Sequence, residues 1–85
     1  MAGDVGLWMP MFWRDFLADT GDLDSEESGA YLLLLGNMWL QGGSLPNDPE
    51  RLRRLAKCPK DRWKGVWSRV IEFFATDDEG RLTQK

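Results

Sequence analysis

The stretch ESGAYLLLLGNMWL, Glu27 to Leu40, is the strongest local signal in this chain of 85 residues. Its unbroken apolar run, Ala30 to Leu35, is six residues long, whereas a helix that spans a bilayer needs about 20. Wound as a helix, the stretch collects its largest apolar side chains into one broad sector: Tyr31, Leu34, Leu35 and Met38, flanked by Leu32 and Trp39. We therefore predict the buried central helix of a small domain, with no membrane segment.

The residues around this stretch predict its ends and the helix before it. Asp24 is a good N-cap, and Glu27 three residues later completes a capping box. The Gly42–Gly43 pair marks the end of the central helix, which we place within 22–42. Upstream, apolar residues at helical spacing predict an N-terminal helix over 8–21 that stops at Gly21: Phe12, Trp13, Phe16 and Leu17. Residues 1–7 are predicted to be flexible.

The downstream half predicts two more helices and a hairpin. After a short extended piece, Ser44–Pro46, either Asn47 or Asp48 caps a helix with Pro49 in its first turn. Leu52, Leu55 and Ala56 face inward in that helix, and Pro59 ends it and opens the next. A regular period then predicts a core-facing helix: Trp63, Val66, Trp67, Val70, Ile71 and Phe74. Two extended runs around Gly80 complete a hairpin.

This order of elements predicts one domain, 1–85, that is mainly α with a small C-terminal β-hairpin. Residues 43–75 form a helix-turn-helix-like pair and 76–85 a hairpin or wing, so the fold class is a small winged helix-turn-helix-like domain.

Residue types that carry chemistry are scarce. The chain has no histidine, no glycine-rich phosphate loop and one cysteine, Cys58, which has no histidine partner to activate it. The acidic residues from Asp19 to Glu27 fail the EF-hand pattern, since Glu27 and Leu33 stand where glycine and glutamate are needed. Capping explains these acids better. We predict no enzyme activity, no metal, no cofactor and no small-molecule substrate. The absence of a signal-peptide leader favours the cytoplasm.

Acidic and basic residues occupy different segments of the chain, whose net charge is −3. Residues 1–50 hold nine acidic residues and one basic residue, whereas 51–70 hold eight basic residues and only Asp61. In a helix-turn-helix the second helix enters the major groove and the first crosses the backbone. The predicted base-reading residues are Arg62, Ser68 and Arg69, with Lys64 beside them, and the predicted phosphate contacts are Arg53, Arg54, Lys57 and Lys60. Alternatively, these basic residues form a charged face that only contacts solvent. Asp61 and Glu72, which lie on the same face, favour this alternative.

Several pieces in order carry a family resemblance: RDFLADT (14–20), ESGAYLLLL (27–35), GGSLPNDP (42–49), FF (73–74) and DEGRLTQK (78–85). With them the chain resembles the prophage-encoded family of unknown function typified by the N-terminal domain of YdaU. The resemblance implies a phage protein, often with a further C-terminal region resembling a replication-initiation module, and it supplies no catalytic residues. This chain departs from the family with Leu33 in place of a frequent arginine and Ser28 in place of a frequent histidine.

The departure at Leu33 predicts a protein interface formed by Leu33, Gly36 and Leu40, because leucine enlarges an apolar surface and glycine permits close approach of another backbone. Alternatively, the N-terminal helix covers this surface.

Two functions follow as expectations. The first is a DNA-binding module that assists phage replication or regulation. The second is an accessory protein that binds a host or phage protein complex and inhibits or redirects it, for example as an anti-CRISPR-like inhibitor. A homodimer is a further candidate assembly.

Overall fold

Four helices and a two-stranded hairpin follow one another in residues 12–85, the part of the chain that this computed structural model describes. The predicted mainly α fold with a C-terminal hairpin is confirmed. The predictions for residues 1–7 and for the start of the first helix lie outside the described residues. The elements are α1, helical at 12–19, α2 Ser25–Leu40, α3 Pro49–Ala56, α4 Lys60–Val70, a 3-10 turn Ile71–Phe73, β1 Phe74–Thr76 and β2 Leu82–Gln84.

Helix α2 begins with the predicted capping box. The Asp24 carboxylate accepts a hydrogen bond from the Glu27 amide at 2.7 Å, and the Glu27 carboxylate accepts one from the Asp24 amide at 2.9 Å. The helix ends at Leu40, and the Gly43 amide then donates to the Met38 carbonyl at 2.8 Å. Gly42 and Gly43 have φ of +88° and +110°, conformations that residues with a side chain rarely adopt, which explains the glycine pair.

The hairpin and a bridge to the α2–α3 connection give the domain its winged-helix character. β1 and β2 are antiparallel, with Ala75 opposite Thr83. Leu82 of β2 also exchanges two backbone hydrogen bonds with Leu45, at 2.9 and 2.8 Å. β2 therefore lies between β1 and the segment around Leu45. The chain order of helix, short strand, two helices and hairpin is that of a winged helix-turn-helix.

The core lies around the inner face of α2. Its largest fully buried side chains come from α2, the α2–α3 connection, α3 and α4: Tyr31, Leu34, Leu45, Leu52 and Val70. The Tyr31 ring stacks between Phe16 of α1 and Phe73 of the 3-10 turn, with centroid distances of 5.7 and 4.7 Å. These contacts hold α1 and the 3-10 turn that precedes the hairpin against α2. Within residues 12–85, no helix is long and apolar enough to cross a membrane.

The predicted core face of α4 is correct at Val66, Val70 and Phe74, but not at Ile71. Ile71 is 44% exposed because the α-helix ends at Val70 and the tighter 3-10 turn changes the direction of the next side chain. Trp63 and Trp67 are half-buried on the rim of the core, stacked on each other at 5.3 Å.

Candidate nucleic-acid interface

The turn between α3 and α4 is short and specified by its own residues. Asp48 caps α3 through a 3.1 Å hydrogen bond from the Glu50 amide, and Pro49 is the first residue of the helix. Lys57 ends α3 in the left-handed conformation, with φ of +57°, and Pro59 is the N-cap of α4. The turn from Lys57 to Pro59 thus has the length of a helix-turn-helix connection.

Four basic side chains around this turn are exposed and make no ion pair with any residue in 12–85. They are Arg51 on α3, Lys57 in the turn, and Lys60 and Lys64 in the first turns of α4. Of these, Arg51 was not among the residues predicted from the sequence to contact DNA. Its exposed position on α3 follows from helical spacing relative to Leu52, which is the signal that could have identified it. Lys57, Lys60 and Lys64 are thus the members of the predicted basic face that are exposed and make no ion pair within residues 12–85, and Arg51 lies beside them.

Arg53 differs from these residues because it is used within the domain. Its guanidinium makes two hydrogen bonds to the Glu50 carboxylate, at 3.0 and 2.7 Å, and a third to the Cys58 carbonyl at 3.0 Å. The Arg53 side chain is only 18% exposed. The hydrogen bond from Arg53 lowers the pKa of Glu50 to about 2. Arg53 therefore braces the turn, and the predicted phosphate contact would require it to break this pairing. Arg54, by contrast, is 71% exposed and makes a single 3.3 Å contact with Glu50.

The predicted base-reading arginines are held by the acidic segment at the start of α2. Arg62 donates to the Glu26 carboxylate at 2.9 Å, and Arg69 donates to the Asp22 carbonyl at 2.9 Å. The Ser68 hydroxyl donates to the Gly65 carbonyl within α4. Both arginines remain at the surface, but they lie on the flank of α4 that faces α2. The outermost stripe of α4 instead carries Asp61, Gly65 and Ser68.

The wing is acidic and well ordered by its own turn. The Asp77 carboxylate accepts hydrogen bonds from the amides of Glu79 and Arg81, at 2.9 and 2.8 Å, and Gly80 has φ of +78°. The predicted glycine turn is confirmed. The Arg81 guanidinium donates to the Ser44 hydroxyl at 2.8 Å. Because Asp77, Asp78 and Glu79 cluster at its tip, the wing is not suited to lie along phosphates.

The predicted protein interface is uncovered at two of its three residues. Gly36 is exposed and Leu40 is 81% exposed, whereas Leu33 is half-buried. The described part of α1 packs on the Tyr31 side of α2; Gly36 lies at the edge of the cleft between these two helices, and Leu40 lies outside it. The alternative expectation, that the N-terminal helix covers this surface, stays a prediction, because residues 8–11 of that helix lie outside the described residues.

An apolar cleft of about 770 Å³ lies between α1, α2 and β2, with Phe16, Leu32 and Leu35 in its wall. The Tyr31 hydroxyl in this cleft is already paired, since it donates to Asp19 at 3.2 Å and accepts from Gln84 at 3.3 Å. Burial raises the pKa of Tyr31, so this hydroxyl stays protonated. Burial likewise raises the pKa of the Cys58 thiol. In residues 12–85, no group of three metal-ligating side chains comes together.

Comparison with known proteins identifies the family. The model of a protein family of unknown function, DUF1376, matches residues 7–85. The chain belongs to the DUF1376 family. It is also 40% identical over 72 residues to the uncharacterized protein YdaU of Escherichia coli (strain K12), an alignment that covers 85% of this chain and 25% of YdaU. This DUF1376 chain thus spans about a quarter of the length of that relative. The family expected from the sequence is confirmed, and no solved structure matches the chain.

Proposed function

We propose that this DUF1376 domain is a non-enzymatic winged-helix module that binds DNA through its helix-turn-helix turn. The observation that carries the proposal is the group of four exposed, unpaired cations around that turn: Arg51, Lys57, Lys60 and Lys64. In a domain of net charge −3, such a group is a local site for an anion. The turn and the start of the second helix are also the parts that a helix-turn-helix presents to DNA.

The proposed contact differs from the one expected from the sequence. Arg54 and the four unpaired cations take the phosphate role, while Arg62 and Arg69 reach DNA only by leaving Glu26 and the Asp22 carbonyl. The acidic wing does not contact the DNA backbone. This arrangement favours a small footprint with few phosphate contacts, and therefore modest affinity.

The narrower biological role also belongs to this proposal. The resemblance to a prophage-encoded family motivates an accessory part in phage replication or regulation, in the cytoplasm of the host cell. YdaU is itself uncharacterized, so this role is supported by the resemblance and by the winged-helix topology together.

A titration of fluorescent duplex DNA at increasing salt tests the proposal. The five phosphate contacts, from Arg54 and the four unpaired cations, give a slope of about −4.5 in a plot of log binding constant against log salt, which is roughly a 500-fold loss between 50 and 200 mM. The double variant Lys60→Gln/Lys64→Gln should reduce the magnitude of the slope by about 1.8. The matched control, Arg14→Gln/Lys85→Gln, removes two exposed cations far from the turn in sequence and should leave the slope unchanged.

Two results would refute the proposal. One is the absence of binding at tens of micromolar protein in low salt. The other is an equal loss of affinity in the test and control variants, which would indicate a general charge effect with no site at the turn.

A further inference from the structure

The outward face of α2 carries an apolar seam. Gly29, Leu33, Gly36 and Leu40 follow one another at spacings of four, three and four residues. This is the spacing of the two core positions of a coiled coil, which align side chains along one side of a helix. The buried residues Ala30, Leu34 and Met38 lie on the other side of the helix. The seam therefore faces away from the core of its own domain.

Little of residues 12–85 covers this seam. Leu40 is 81% exposed, Gly36 is exposed, and Gly29 and Leu33 are half-buried. A β-carbon built on Gly29 or on Gly36 would meet no described atom within 4 Å outside its own helical turn. The space above both glycines is thus open to the side chain of another helix.

The seam itself is also uncharged, and the nearest charged residue on this side of α2 is Glu26, which lies one turn before Gly29 and is paired with Arg62. From Ser28 to Gln41 the helix contains no acidic or basic residue. The outward face of a surface helix in a soluble domain is normally charged or polar, and a contiguous exposed apolar face marks an interaction site. Without charge, this face has nothing to attract nucleic acid, so its partner is expected to be another apolar helix.

We propose that this face binds a second copy of the same chain, with the two α2 helices antiparallel. The seam is complementary to itself in one register. When Leu33 of one copy lies opposite Gly36 of the other, Leu40 lies opposite Gly29, and two-fold symmetry repeats both contacts. Each leucine fills the open space over a glycine, and four such layers form the contact. A patch that fits its own copy in this way is the requirement for a symmetric dimer.

Self-complementarity is the reason to choose a second copy as the occupant. A different protein would have to supply leucines and gaps at the same alternating spacing, whereas a second copy supplies both. No charged residue within the seam opposes its counterpart across the two-fold axis. One helix pair buries less than the ~800 Å² per partner of a standard interface, so the dimer should be weak and depend on concentration.

Sedimentation of the whole chain up to about 0.5 mM, a range chosen for interfaces below standard size, tests the proposal. The expected result is a monomer that becomes a dimer as its concentration rises. Leu40→Glu should keep the chain monomeric, because it places a charge in the seam in both copies. Leu40 is 81% exposed, so this change should leave the circular dichroism spectrum intact. The matched control is Leu17→Glu on α1, where the leucine is 65% exposed, and it should still dimerise.

Disulfide trapping tests the register separately. A mixture of the Gly29→Cys and Leu40→Cys proteins should form a covalent heterodimer, because the two positions share a layer. Neither protein alone should form one. In the proposed register, the two copies of residue 29 are roughly 16 Å apart along the helix axis, at ~1.5 Å per residue. A disulfide requires α-carbons within about 7 Å.

Three outcomes overturn the proposal, and none depends on DNA binding. A wild-type chain that stays monomeric at the highest concentration leaves no role for a second copy. A Leu40→Glu protein that still dimerises places the interface elsewhere. Cross-linking of Gly29→Cys alone would indicate parallel helices and exclude the proposed register.

Discussion

Replacing Asp24 by alanine should destabilise the domain by an amount set by one hydrogen bond. The Asp24 carboxylate accepts from the Glu27 amide at 2.7 Å, and this bond is exposed to solvent. Removing an N-cap acceptor costs about 1 kcal/mol of unfolding free energy. A domain of 85 residues has a total stability of roughly 4–13 kcal/mol, so the variant should remain folded.

Asp24→Asn separates the hydrogen bond from the charge. Asparagine caps as well as aspartate does, so this variant keeps the acceptor and loses only the interaction of a carboxylate with the helix N-terminus. Glu26 and Glu27 already supply negative charge in that first turn. We therefore expect Asp24→Asn to cost less than about 0.5 kcal/mol, near the lower end for such charge effects.

Urea unfolding followed by far-ultraviolet circular dichroism measures both costs. The urea midpoint should shift while the slope of the free energy of unfolding against urea stays constant. In heat unfolding, a loss of 1 kcal/mol corresponds to a decrease in Tm of about 4–8 °C for a domain of this size. Low protein concentration keeps self-association out of the measurement. The reasoning is refuted if Asp24→Ala costs less than about 0.3 kcal/mol, or if Asp24→Asn costs as much as Asp24→Ala.

Two further predictions concern the paired carboxylates. Arg53 holds the pKa of Glu50 at about 2 in the folded domain, so this pairing stabilises the fold above the ordinary pKa of glutamate, and that stabilisation is lost as the pH falls towards 2. In acid unfolding, Glu50→Gln should therefore make the free energy of unfolding less dependent on pH between about 4.5 and 2. An unchanged dependence would contradict this assignment. Glu26→Gln should release Arg62 with little change in stability, because the ion pair is largely exposed. The slope of DNA affinity against salt should then become steeper by about 0.9, and an unaltered slope would place Arg62 outside the interface.

Local signals in the sequence were sufficient for most of the fold. The capping box at Asp24, the Asp48–Pro49 helix start and the glycine at position 80 each involve atoms within a few residues, and the structure has all three. Ile71 was placed wrongly because hydrophobic spacing cannot show where an α-helix gives way to a 3-10 turn.

The candidate site was harder to predict because its decisive contacts are distant in sequence. Arg62 and Glu26 are 36 residues apart, and Arg69 and Asp22 are 47 apart. A charge pattern shows that these residues are present, but it cannot show which group each arginine meets. The same limit applies to the seam on α2, since the sequence left open whether α1 covers Leu40.

The position of β2 in the middle of the small sheet has a consequence for folding during synthesis. Leu82 closes both the hairpin with β1 and the bridge to Leu45, and Gln84 bonds the buried Tyr31 hydroxyl. Because β2 follows all four helices in the chain, the helices leave the ribosome before the strand that makes these contacts. Until β2 emerges, Leu45 lacks its bridge partner and the core lacks Leu82, and a chaperone that recognises exposed apolar surfaces would bind the nascent chain during that interval.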